Sequence, residues 1–117
     1  MNIGEIGRVK ETPSGLRGKK DVFGVWVDGE SMRPWKRPGQ LVLIDPHKRP
    51  QINDHVVVEM KATPPDEDRP AFLKLLVGRS GHRLKLHQYN PARTFEIDAR
   101  KVYKLHRVME MEEVIGA

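Results

Sequence analysis

The sequence predicts an all-β protein, a β-sandwich or barrel-like sheet of short antiparallel strands. Three observations carry that prediction. Runs rich in Val, Ile, Leu and aromatic residues recur from residue 22 onward at short, even spacing. Pro, Gly, Asn and Asp separate them, and no segment repeats its apolar residues with the 3.6-residue period of a helix. With 117 residues there is room for one domain and one core.

The elements follow in order. Residues 1–20 read as an N-terminal linker or tether, since they hold Thr12-Pro13-Ser14-Gly15 and the basic residues Arg17, Lys19 and Lys20 but little apolar content. The folded domain then covers residues 21–117. Residues 22–27 form a first strand, and residues 40–44 a second, after the turn signal Arg37-Pro38-Gly39. Residues 56–60 form a third, entered through Asn53-Asp54. Residues 71–77, 83–88, 94–97 and 102–109 supply four more. The Pro-rich, acidic stretch 62–70 reads as an exposed loop, and the sequence holds no internal repeat.

Composition narrows the function. Hydrophobic residues make up 38% and charged residues 32%, a balance that supports a core and argues against disorder. No apolar run approaches the ~20 residues of a membrane span, and the expectation is a soluble, cytoplasmic protein that contacts no membrane. The absence of cysteine removes disulfides, thiol nucleophiles and thiolate metal sites together. Five histidines, His47, His55, His82, His87 and His106, lack metal-ligand spacing, so no metal and no cofactor is expected. Trp26 reads as core or interface packing, and Glu110, Glu112 and Glu113 as a solvated end. The net charge of +5 is modest; its densest stretch is Arg33, Lys36, Arg37, Lys48 and Arg49. That stretch reads as a solvated face, with direct nucleic-acid contact as the competing reading.

Two segments carry chemistry. Gly29-Glu30-Ser31-Met32 follows an apolar strand and precedes Arg33-Pro34, which places a serine on a Gly-bearing turn at a strand end. Such a serine is either an ordinary turn residue or a nucleophile presented by a stiff scaffold. The second segment is Ala71-Phe72-Leu73-Lys74-Leu75-Leu76-Val77, in which a lysine interrupts an apolar run. Strand alternation puts Phe72, Lys74 and Leu76 on one face. Apolar neighbours disfavour the ammonium form, and a neutral amine can take the proton of a serine hydroxyl. The competing reading is an edge-strand lysine with its head in water.

The order and setting of these segments resemble the LexA and phage-repressor family of serine peptidases, which includes the UmuD-like mutagenesis subunits. The resemblance spans about residues 23–109. It takes in Gly29-Glu30-Ser31-Met32, Pro38-Gly39 before Leu41-Val42-Leu43-Ile44-Asp45-Pro46, and Asn53-Asp54-His55-Val56-Val57-Val58. It continues through Phe72-Leu73-Lys74-Leu75 and Gln88-Tyr89-Asn90-Pro91. Ser31 and Lys74 lie 43 residues apart, slightly more than the family leads one to expect, and the 62–70 loop accounts for the excess.

The resemblance implies a fold and a chemistry. Ser31 matches the family's nucleophile and Lys74 its general base. Backbone N–H groups of Ser31 and Glu30 would form the oxyanion hole, and Met32, Phe72 and Leu76 would line the pocket. The implied reaction is self-cleavage of a linker at an Ala-Gly or Cys-Gly bond. Further implications are a homodimer, a RecA-type filament as cleavage co-activator in an SOS or prophage response, and operator DNA bound through a helix-turn-helix domain that this chain lacks. The last strand, residues 102–109 with Met111, Val114 and Ile115, is the expected dimer surface.

The sequence departs from the pattern at the scissile bond. No alanine precedes a glycine, and the small-residue–Gly bond before Ser31 is Ser14-Gly15, 17 residues upstream of it. A loop that short does not fold back into the site, so the bond lies upstream of residue 1 or this member does not cut itself. Three other readings compete: a non-cleaving oligomerisation module, a trans-acting peptidase resembling signal peptidase, and a nucleic-acid binder.

Overall fold

The computed structural model describes residues 6–10, as backbone alone, together with 21–65 and 69–110. They form an all-β fold of eight strands in two antiparallel sheets. The first sheet has the order β1-β2-β3, with β1 at Ile6–Lys10, β2 at Phe23–Val27 and β3 at Leu41–Ile44. The second runs β7-β6-β5-β4-β8. Its strands are β4 (His55–Met60), β5 (Ala71–Ser80), β6 (Arg83–Tyr89), β7 (Ala92–Asp98) and β8 (Val102–Arg107).

The connectivity of the larger sheet dictates its shape. Its two edge strands, β7 and β8, are consecutive in sequence and joined by one 3-10 turn at Ala99–Lys101. Three residues reach across only if the sheet curls enough to bring the end of β7 near the start of β8. The face it closes around is lined by Val56, Val58, Leu76, Leu84 and Leu86, with Phe95 and Ile97 from β7 and Val102 and Leu105 from β8. Its other face offers Val57 and Leu73 to the smaller sheet, where Val25, Val27, Val42 and Ile44 meet them together with Met32 and Val108. Strand alternation splits the pleat between the two cores: Val56 and Val58 face one, Val57 the other. The sheets are stitched by an Ile44–Val108 bridge and by the Met109 N–H donating to the Leu43 carbonyl at 2.8 Å.

All seven expected strands are present, with shifted ends. β5 runs on to Ser80 through a bulge between Leu76 and Gly78, then turns at Gly81, whose φ of +57° suits a residue without a side chain. The last strand ends at Arg107. Residues 6–10, read as part of a tether, instead form β1 and pair with β2. Sequence reading missed them because a short edge strand shows little apolar alternation. Two residues of the expected dimer surface do not lie on the surface. Val108 and Met109 are buried in the chain's own cores, at 2% and 5% exposure, while Met111, Val114 and Ile115 lie outside the described residues. Trp26 stands outward on β2, 36% exposed, while its neighbours Val25 and Val27 are buried.

Candidate active site

Ser31 sits in the loop between β2 and β3. Asp28-Gly29 ends β2, and the loop closes on itself: Val27 N–H donates to the Gln40 carbonyl and Gly39 N–H to the Val27 carbonyl, each at 2.8 Å. Within it Arg33 N–H donates to the Glu30 carbonyl and Lys36 N–H to the Met32 carbonyl, forming a tight run of turns. The loop is anchored by Met32, 1% exposed in the core between the sheets. Ser31, next to that anchor, is itself buried.

The β6–β7 turn grips the loop from outside. The Tyr89 and Asn90 N–H groups both donate to the Ser31 carbonyl, at 2.9 and 2.8 Å. The Asn90 side-chain Nδ2 donates to the Glu30 carbonyl at 3.2 Å. Both carbonyls flanking the Ser31 Cα are therefore engaged, whereas among the described residues the Glu30 and Ser31 N–H groups donate to no acceptor.

Lys74 comes to this serine from β5. It is fully buried, and its Nζ lies 2.7 Å from Ser31 Oγ. Burial lowers its pKa from 10.5 to about 7, with the positive charge of Arg93 adding to the effect. Register explains the environment. Val56 on β4 lies opposite Lys74, and the pairing of Leu75 with His87 puts Gln88 opposite it on β6. Gln88 pairs in turn with Arg93 on β7, so Lys74, Gln88 and Arg93 form a row across three strands. Val56, Leu76 and Gln88 are all buried.

The site residues named from sequence are thus sorted by position. Ser31 and Lys74 meet, the Glu30 and Ser31 N–H groups make no hydrogen bond among the described residues, and Leu76 shares the buried face of Lys74. Met32 belongs to the core beneath the loop. Phe72 is half-buried and lines a surface groove with Met60, Pro70 and Arg100. Val56 and Gln88, buried and opposite Lys74, are neighbours that only cross-strand register could have identified.

A second network escaped the sequence reading. Trp35 stacks on His55 at 3.6 Å between centroids, with planes 8° apart. His55 Nδ1 lies 3.0 Å from Glu110 Oε1, and Nε2 lies 2.8 Å from the Tyr89 hydroxyl. Burial, with the Glu110 charge, raises the Tyr89 pKa. Glu110 is therefore engaged rather than simply solvated, while Glu112 and Glu113 lie outside the described residues. The network ties the far end of the Ser31 loop, through Trp35, to the same Tyr89 whose N–H holds Ser31.

Among the described residues no cluster of three His, Asp or Glu could hold a metal ion. No helix there is long and apolar enough to cross a membrane. Within the basic stretch, Arg33 pairs with Glu30 at 3.3 Å and the Lys36 ammonium lies 5.4 Å from the Trp35 ring centre.

A hydroxyl 2.7 Å from a buried amine of near-neutral pKa, beside free backbone N–H groups, can carry out nucleophilic acyl chemistry. Comparison with known proteins bears on this geometry. The family model described as Peptidase S24-like matches residues 3–109. "Repressor protein C" of Rhizobium phage 16-3 is 34% identical over 101 residues, covering 85% of this chain and 38% of that protein. The chain thus corresponds to about two-fifths of that relative's length. No solved structure matches the chain.

Proposed function

The chain belongs to the Peptidase S24-like family, and from that premise we propose that it is the self-cleaving, dimerising C-terminal part of a LexA-like or prophage repressor. The observation that carries this reading is the 2.7 Å approach of Lys74 Nζ to Ser31 Oγ inside a buried site. A surface serine near an exposed lysine would have no chemical consequence, because the ammonium would stay protonated at neutral pH. Here burial makes the neutral amine available.

The reaction follows from these groups. Neutral Lys74 takes the Oγ proton as Ser31 Oγ bonds to the peptide carbonyl carbon. The oxygen of the tetrahedral intermediate takes hydrogen bonds from the Ser31 and Glu30 N–H groups. The Lys74 ammonium then gives its proton to the leaving nitrogen as the C–N bond breaks, leaving an acyl ester on Ser31. Water, deprotonated by Lys74, attacks that ester, and the proton returns to Ser31 Oγ as the acid is released.

The substrate is a linker bond of small-residue–Gly type; Ser14-Gly15 lies outside the described residues. A dimer would present two such domains to a two-fold operator, with the DNA-binding half supplied by the longer parent protein. A RecA-type filament is the proposed co-activator. The alternative is a non-cleaving oligomerisation module with the same fold. Incubating the full-length parent at pH 6 to 10 separates the two. Self-cleavage that accelerates through about pH 7 and vanishes in Ser31→Ala supports the peptidase, and an uncut parent at every pH supports the module.

A further inference from the structure

We infer that Asn90 is a positioning residue for the oxyanion hole, a conclusion that rests on the peptidase reading above. A trans peptide is planar, with its C=O and N–H pointing in opposite directions. Whatever holds the Glu30 carbonyl therefore also aims the Ser31 N–H, which belongs to the same plane. Asn90 holds that carbonyl through Nδ2 at 3.2 Å, and its own N–H holds the next carbonyl, that of Ser31, at 2.8 Å. One residue thus clasps both peptide planes that meet at the Ser31 Cα and fixes the backbone of the nucleophile itself.

The chemistry requires a short donor at this position. A carbonyl oxygen can only accept, so the side chain that faces Glu30 must be a donor, and the amide supplies one. An aspartate of the same shape would turn an acceptor towards an acceptor. Arg33 N–H also reaches the Glu30 carbonyl, at 3.2 Å, so the plane keeps partial support without Asn90. The expected effect is accordingly smaller than the ~10²-fold loss of a hole donor itself.

A fluorophosphonate probe tests this on the chain as it stands, because phosphonylation of Ser31 puts the P=O oxygen in the hole. Labelling is followed by mass spectrometry for the wild type, Ser31→Ala, Asn90→Ala, Asn90→Asp and Asn90→Gln. Asn90→Ala should label about tenfold more slowly and Asn90→Asp more slowly still, while Asn90→Gln recovers part of the rate. In Asn90→Ala and Asn90→Gln the midpoint of the pH–rate profile should stay where the wild type has it, since neither changes a charge near Lys74, whereas the new carboxylate of Asn90→Asp should raise it. Thermal unfolding checks that each variant folds, and the isosteric Asn90→Asp tests the same donor if Asn90→Ala does not. Wild-type rates in both Asn90→Ala and Asn90→Asp would overturn the inference, as would a displaced midpoint in Asn90→Ala. A wild type that labels no faster than Ser31→Ala would overturn the peptidase reading and this inference with it.

Discussion

Replacing Lys74 with Met removes the charge while keeping the length of the side chain, and its effect on stability can be worked out from the structure. Lys74 is fully buried, and its pKa falls from 10.5 to about 7 on folding. The interval of about three and a half pH units, at about 1.4 kcal/mol each, is on the order of 5 kcal/mol. The sign follows from proton binding. Below about pH 7 both folded and unfolded chains carry the proton, and the burial penalty is fully present. Between about 7 and 10.5 the unfolded chain binds more protons, so stability rises with pH; above 10.5 the penalty is gone. Met at this position has no such penalty, but Ser31 Oγ loses its partner, a loss of about 1–3 kcal/mol for a buried hydroxyl. Lys74→Met should therefore be more stable than the wild type by about 2–4 kcal/mol at pH 7, and the gain should vanish or reverse by pH 10.5. Urea denaturation followed by tryptophan fluorescence at pH 6.5, 8 and 10 measures both curves. Parallel curves across that range, or a variant less stable at pH 7, would refute the assignment of a desolvated lysine.

Four further predictions follow from the same geometry. Lys74→Ala should abolish cleavage while the chain still folds, read by labelling of Ser31 and circular dichroism together. Arg93→Gln removes one of the two causes that lower the lysine pKa, so the midpoint of the pH–rate profile should move above about 7; an unmoved midpoint would leave burial as the whole cause. Val108→Ser and Met109→Ser should each destabilise the fold by about 2–4 kcal/mol, because both side chains fill the chain's own cores. Light scattering at micromolar concentration should report a dimer, and Tyr103→Ser, which alters an exposed residue of β8, should weaken it without lowering thermal stability.

What could be read from the sequence was whatever short-range pattern encodes. Alternation within 71–77 put Lys74 and Leu76 on one face, and both are buried there. The turn signals before residues 40 and 56 delimited two strands to within one residue. The unread part depends on register. Nothing local to Val56 or Gln88 says that they flank Lys74; that follows from how three strands slide past one another, and a one-residue slip would replace both. The same holds for Asn90 and Tyr89, which lie about sixty residues from the loop they hold.

The site also explains why its loop needs so much support. Burying Lys74 costs stability at neutral pH, and its position is useful only if Ser31 Oγ stays within reach of Nζ. A loop free to swing outward would let water solvate the amine and return its pKa towards 10.5, at which point the pair has no nucleophile to offer. Three attachments from different directions oppose that motion: Met32 in the core, the Tyr89 and Asn90 N–H groups on the Ser31 carbonyl, and Trp35 stacked on His55. His55→Ala tests the third, together with the Tyr89 hydroxyl contact that the same ring makes. It should loosen the Trp35 end and raise the midpoint of the pH–rate profile for Ser31 labelling, because a more mobile loop admits water to Lys74. A midpoint that stays put while stability falls would confine the His55 network to a purely structural role.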